Sequence, residues 1–298
     1  MNKLLENCKL CPRNCGVNRI NNQTGFCSAT DKLKVARASL HMWEEPCISG
    51  TNGSGTIFFS HCSLKCIFCQ NNNISQNNFG KEITIERLAE IFIELQNRDA
   101  NNINLVTPTH YVPQIIEAIK LAKQNGLNIP IVYNSSGYEN VETIKLLNGY
   151  IDIYLPDFKY FDNDLAIKLS NTPNYFIKAL ACIDEMVSQI KENVFDENGI
   201  MQKGVIIRHL ILPGHTLDSK KIIKELLDRY KNKVYISLMS QYTPIKNLPY
   251  TELNRKLSKT EYNRVVDYAL NLGLVNGFIQ DGESAKESFI PDFDISGV

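Results

Sequence analysis

The sequence predicts an α/β chain in which about six β-α units follow a small cysteine-rich segment. Short apolar runs alternate with longer amphipathic ones from Gly55 onward. Six cysteines fall within the first 62 residues: Cys8, Cys11, Cys15, Cys27, Cys47 and Cys62. Up to about residue 50 little is periodic, and Gly, Asn and Pro recur, as in a unit tied by metal rather than by a core. Repeated β-α alternation implies parallel strands joined by right-handed helical crossovers. Six strands fit either an open doubly wound sheet or a partial barrel, and hydrophobic pattern does not separate the two. In both, ligands sit at the C-terminal ends of the strands.

The elements follow in order. Thr56–Phe59 reads as a strand, and Ile85–Gln96, apolar at Ile85, Leu88, Ile91, Phe92 and Leu95, as a helix. Ile103–Val106 is a strand and Val112–Gln124 a helix ending before Gly126. Ile129–Tyr133 is a strand, Val141–Leu147 a short helix, and Ile151–Leu155 a strand. Tyr175–Lys191 is helical, Val205–Leu212 a strand, Ser219–Tyr230 a helix, Val234–Met239 a strand and Thr260–Leu272 a last helix. The expected organisation is a Cys-rich segment over 1–50, a core over 51–283 and a tail over 284–298 that is either disordered or caps the core.

Composition bounds the function. Lys plus Arg equals Asp plus Glu at 32 each, so no global charge draws the chain to nucleic acid or an anionic membrane. The N-terminus has no apolar signal-peptide core, and no run approaches the ~18 apolar residues of a spanning helix. The expected location is the cytoplasm. Clustered thiols there are read as metal ligands rather than disulfides.

The strongest motif is Cys62-Ser-Leu-Lys-Cys66-Ile-Phe-Cys69, with C-x3-C-x2-C spacing directly after the first strand. A cubane cluster offers four irons, each normally ligated by a Cys thiolate. A tight loop with this spacing wraps three corners and leaves the fourth iron open, which is what a catalytic metal site needs. Phe68, before the last cysteine, is placed to cover such a cluster. Zinc is the competing reading, but it more often uses paired C-x2-C units.

On these residues the chain resembles the radical S-adenosylmethionine (SAM) superfamily, in the branch labelled pyruvate formate-lyase activating enzyme-like. The resemblance covers about residues 50 to 282 and includes the opening Gly53-Ser-Gly-Thr-Ile-Phe-Phe-Ser60. It implies a partial (β/α)6 TIM-like barrel, a [4Fe–4S] cluster, and SAM chelated at the open iron and cleaved reductively to a 5′-deoxyadenosyl radical that abstracts hydrogen. The Asp-x-Lys of activating enzymes corresponds to Asp157 and Lys159, and their Ile-Arg-x-x-x-x-Pro-Gly run to Ile207–Gly214 with Arg208. An Arg inside an apolar strand is too costly to bury unpaired, so a carboxylate is its expected partner, that of SAM first and a structural ion pair as the alternative. His209, pointing the other way along the strand, is expected in the core. Ser135, after the third strand, and Gln241, after the sixth, are further candidate SAM contacts. The family's Gly-Gly-Glu is replaced by Thr107-Pro108-Thr109, so Thr107 and Thr109 are its expected substitutes; His110 beside them is a candidate contact but more often such a His is structural.

Cys8, Cys11 and Cys15, spaced C-x2-C-x3-C, and Cys27 supply four thiols for a closed second site. Closed sites hold structural zinc or an auxiliary iron–sulfur cluster. Cys47 is the alternative fourth ligand, and Cys182 is expected in the core. The partners implied are a protein substrate, a glycyl radical enzyme or another, and a reductant such as flavodoxin or ferredoxin. Two other classes compete: an iron–sulfur electron carrier without SAM, and a zinc-stapled binding module.

Overall fold

A computed structural model describes residues 2–280 and 291–298 of the 298-residue chain. The strands are β1 (Leu33–His41), β2 (Ser54–Phe59), β3 (Lys81–Ile83), β4 (Ile103–Val106), β5 (Ile131–Ser135), β6 (Ile153–Pro156), β7 (Val194–Phe195), β8 (Met201–Leu210), β9 (Tyr235–Met239) and β10 (Gly277–Ile279). They pair in the order β10-β9-β8-β6-β5-β4-β2-β1-β3, with β7 on β8. From β2 to β10 every neighbour on this path is parallel. Among the described residues β10 and β3, the two ends of the path, do not pair with each other, so the sheet is an unclosed, partial barrel preceded by the cysteine-rich N-terminus.

The six strands read from the pattern all form. β2 is buried along its whole length, as befits a central strand covered on both faces. Helices Ile85–Gln96, Val112–Gln124, Val141–Leu146, Tyr175–Gln189 and Thr216–Tyr230 cover the outside, and Lys259–Asn271 follows β9. Their starts are chemically marked: the Thr84 hydroxyl accepts the Arg87 N–H, and Ser258 with Glu261 closes a capping box. Alternation sorts the strand residues. Tyr133, Tyr154, Val205 and Ile207 join the large helix-facing core. Their neighbours Val132, Ile153, Leu155 and Ile206 form a second cluster inside the barrel.

The sequence pattern did not reveal β1. It runs antiparallel to β2, with Ala38 opposite Ile57 and His41 opposite Ser54, and thus joins part of the N-terminal segment to the sheet. The following turn, Pro46–Ser49, plugs the N-terminal end of the strands, held by Asn101 to the Ser49 carbonyl (2.6 Å) and Asn102 to the Ile48 carbonyl (2.8 Å). Residues 284–290 of the tail lie outside the described residues. Its last residues cap the barrel's open side beside β1. The Ile295 N–H reaches the Ala36 carbonyl (3.0 Å), the Ser296 carbonyl accepts the Ala38 N–H (2.9 Å), and Asp294 pairs with Arg37. Phe293 packs against Phe58 with ring centroids 5.4 Å apart.

Candidate active site

A cleft with about 250 Å³ of free volume opens inside the barrel toward the C-terminal strand ends. Cys66, Cys69, Asp157, Lys159, Arg208 and Gln241 line it together, although they are up to 175 residues apart in sequence (241 − 66). Cys62 completes the sulfur set; its thiol is pushed up by burial and by the nearby Cys66 and Cys69. Burial also pushes Cys66 up, to about 11, against the opposing pull of Lys159. Each sulfur has one polar neighbour able to donate to it: the Leu64 N–H at Cys62 (3.4 Å), the Ser170 hydroxyl at Cys66 (2.9 Å) and the Ser75 hydroxyl at Cys69 (3.3 Å). Phe68 lines the cleft beside them, 5.9 Å from the Tyr242 ring.

Behind the sulfurs a ladder of charge descends into the barrel. Lys159 Nζ donates to Asp157 Oδ2 at 2.6 Å. Arg208 donates from Nε to Asp157 Oδ1 (3.0 Å), from Nη1 to Glu44 Oε2 (3.1 Å) and from Nη2 to Asn134 Oδ1 (2.6 Å). Asn104 caps the ladder by donating to Glu44 Oε1 at 3.0 Å. Burial pushes Asp157 up, but Lys159 and Arg208 outweigh it and hold the carboxyl below its ordinary range. Burial pushes Glu44 up, with Arg208 opposing. Arg208 lines the cleft, as expected of a residue near SAM, and its fork is engaged by two protein carboxylates and an amide, the pairing that an Arg in an apolar strand requires.

Three other expected SAM contacts are not among the residues that line the cleft. Thr109 donates to Glu139 Oε1 (2.7 Å), and Ser135 Oγ accepts the Gly137 N–H (3.2 Å). Thr107 sits at a left-handed turn, with its N–H on the Asn134 carbonyl. Alternation is the reason for Ser135: Asn134 faces inward, so the residue after it on β5 faces out, whereas Thr109 lies beyond β4 in the short helix Thr109–Tyr111. Glu139, buried behind the sheet, is pushed up to about 7 by burial, against hydrogen bonds from Thr109 and Ser135. Gly137 permits the crowding here. At φ +73° it stands where a Cβ would come 2.5 Å from the Asp157 carbonyl. The Tyr175 hydroxyl ties the same strand ends, accepting the Lys159 N–H and donating to the Ser136 carbonyl.

The remaining expectations divide. His209 is in the core as expected, between the Phe158 carbonyl and the Ser219 hydroxyl. His110 is structural: its ring contacts the Ser60 carbonyl (2.8 Å) and its own carbonyl accepts from Arg19. Cys182 is buried, with its thiol on the Glu139 carbonyl. Cys8, Cys11, Cys15 and Cys27 line one separate cavity. Cys47 is corrected as their alternative: it is packed in the barrel floor among Val132, Leu155 and Ile206. Glu44 and Asn134 were missed as site residues. Strand alternation with Arg208 could have found Asn134; no local signal marks Glu44.

The radical SAM superfamily model matches residues 56–227. Uncharacterized protein MJ0674 of Methanocaldococcus jannaschii is 32% identical over 284 residues, covering 91% of this chain and 77% of that protein. The pyruvate formate-lyase-activating enzyme of Clostridium pasteurianum is 27% identical over 194 residues, covering 62% of this chain and 72% of that enzyme. Among solved structures, a radical SAM methyltransferase from Sphaerobacter thermophilus aligns with TM-score 0.53 at 15% identity, over 76% of this chain and 66% of that one. Streptococcus suis SuiB, bound to precursor peptide SuiA, aligns with TM-score 0.50 at 15% identity, over 75% of this chain; this chain spans about half of SuiB's length, 47%. These structures share the fold alone. The chain belongs to the radical SAM superfamily, enzymes whose cofactors are a [4Fe–4S] cluster and S-adenosylmethionine.

Proposed function

We propose that Cys62, Cys66 and Cys69 hold the [4Fe–4S] cluster and that the adjoining cleft holds SAM. The observation that carries this reading is the sulfur set itself: three thiols at a cleft mouth, each with one polar neighbour placed to donate to it. Hydrogen bonds to thiolate are what anionic cluster sulfur needs. The other cysteines are elsewhere, Cys47 and Cys182 in the core and four in the N-terminal cavity, so the donor set fits a cluster with one iron left for a substrate. When bound, the two cofactors supply reductive cleavage of SAM to methionine and a 5′-deoxyadenosyl radical, which abstracts hydrogen from a substrate.

The chain's own part is binding and orientation. Lys159 stands between Cys66 and Asp157 and is the cation to meet the SAM carboxylate. Arg208 acts one step back, fixing Asp157. Asp157 and Glu44, both on the cleft wall, are the carboxylates available to the SAM ammonium group, in place of the acidic residue missing at Thr107–Thr109. Gln241 contributes to the opposite wall, where its carbonyl accepts from Gln70.

The substrate is a protein, and activation of a glycyl radical enzyme is the finer reading, supported by the relatives named as pyruvate formate-lyase-activating enzymes. The electron donor is a flavodoxin- or ferredoxin-type carrier. Reduced, reconstituted protein should be incubated with SAM and candidate glycyl radical enzymes. Release of 5′-deoxyadenosine together with a glycyl radical signal in electron paramagnetic resonance supports the finer reading. Nucleoside release without the radical sends the substrate search to other proteins, peptides and small molecules.

A further inference from the structure

We infer that Cys8, Cys11, Cys15 and Cys27 hold a second iron–sulfur cluster and that electrons enter the molecule there. Occupancy of this site is independent of the reading given to Cys62, Cys66 and Cys69; its role as the entry point rests on that reading.

All four thiols line a single cavity, shared with Arg13 and Arg19. One thiolate per iron closes a cubane, leaving no position for a substrate. The backbone is folded around sulfur. Cys8 and Val17 are bridged by the Cys8 N–H on the Val17 carbonyl (3.1 Å) and the Gly16 N–H on the Cys8 carbonyl (3.0 Å). The Phe26 N–H donates to Cys15 Sγ at 3.4 Å, and a Cβ at Gly25 would come 2.5 Å from the same sulfur. Cys11 and Cys27 receive N–H groups from Arg13 and Ala29, each two residues on, as Cys62 does from Leu64. The two cations suit a cluster whose four thiolates leave it negatively charged.

The position of the cavity decides between occupants. Zinc would close the same four thiolates but carries no electrons. Two short bridges instead join this site to the other cysteine loop. Arg13, between Cys11 and Cys15, donates to the Ser63 carbonyl at 3.1 Å, beside Cys62, and stacks on Phe26, beside Cys27. His110, on the cavity wall, contacts the Ser60 carbonyl, two residues before Cys62. The outer side is open, because Cys15 is exposed. A low-potential one-electron carrier protein therefore has access at Cys15. One electron taken up from it leaves inward toward Cys62, so the N-terminal cluster ends each turnover as it began.

The test uses full-length protein prepared anaerobically, as wild type and as the Cys62→Ala/Cys66→Ala/Cys69→Ala variant, assayed for iron, sulfide and zinc. Wild type should hold about eight irons and the variant about four, with a reduced-cluster resonance that SAM does not change. A variant that retains zinc without iron, or no metal, overturns the second cluster. Four irons in both proteins would support the N-terminal cluster and sink the reading of the Cys62 loop instead. Cys11→Ser/Cys15→Ser should lose SAM cleavage driven by reduced ferredoxin or flavodoxin while retaining cleavage driven by dithionite. Unchanged carrier-driven cleavage, or equal loss with both reductants in protein that keeps the Cys62 cluster's resonance, overturns the entry role.

Discussion

Arg208→Met should destabilise the protein more than it disturbs the cluster. The substitution keeps the stem and removes a guanidinium that donates to Asp157, Glu44 and Asn134. Asp157 retains Lys159 at 2.6 Å, so Glu44 is the stranded charge. Among the described residues it keeps the amides of Asn104 (3.0 Å) and Asn134 (3.4 Å), and its side chain is 9% exposed. A stranded carboxylate escapes by taking a proton, which limits its cost to the distance between ambient pH and its ordinary value of 4.5. At pH 7 that distance is about 2.5 units, or about 3 kcal/mol. Lost hydrogen bonds add to this, in line with the roughly 3–5 kcal/mol typical of breaking a buried pair. The sign follows from proton binding: the folded variant binds more protons than the unfolded chain above pH 4.5, so its stability falls as pH rises toward 7. Denaturant unfolding at several pH values measures this, with Glu44→Gln/Arg208→Met as the control. Removing the stranded carboxylate should recover most of the loss. A single variant within about 1 kcal/mol of wild type, or a double variant no more stable than the single one, refutes the ladder.

Other consequences are independent. Lys159→Met should weaken SAM binding about tenfold to a hundredfold, the worth of a charge-assisted hydrogen bond, and leave the cluster's absorption intact; wild-type affinity by titration of the reduced cluster's resonance would remove Lys159 from the site. Glu139→Gln removes a buried carboxyl that is pushed up to about 7 by burial. The penalty for ionising it is absent below about pH 4.5 and complete above about 7, so the variant's stability advantage should grow across that window toward the order of 3 kcal/mol; an advantage independent of pH contradicts the shift.

The sequence carried the parallel part of the fold because each β-α unit is local: an apolar run, then a 3.6-period helix. It carried the Cys62 loop for the same reason, three thiols within eight residues. It hid β1 because that strand serves two faces and two distant partners. Arg37 pairs with Asp294 of the tail, while Val35 and Ala38 face the core. The same long range hid Glu44, which comes from the irregular segment after β1 and meets Arg208 only because the turn at Pro46–Ser49 plugs the barrel. Thr109 and Ser135 show the converse. Their residue types suit a ligand, but Ser135 follows the inward-facing Asn134 on β5 and Thr109 opens the short helix after β4, and both meet Glu139. Asp157 and Lys159 came from the resemblance, through its Asp-x-Lys run, and the strand end that carries them opens on the cleft.

The central claim is that the Cys62, Cys66 and Cys69 loop cleaves SAM. Its most direct test is the amount of 5′-deoxyadenosine and methionine released by anaerobically reconstituted protein given SAM and dithionite. Wild type should release both in equal amounts, and the Cys62→Ala/Cys66→Ala/Cys69→Ala protein neither. Release by the triple variant at the wild-type rate, or none from wild type carrying a full cluster, would contradict the account.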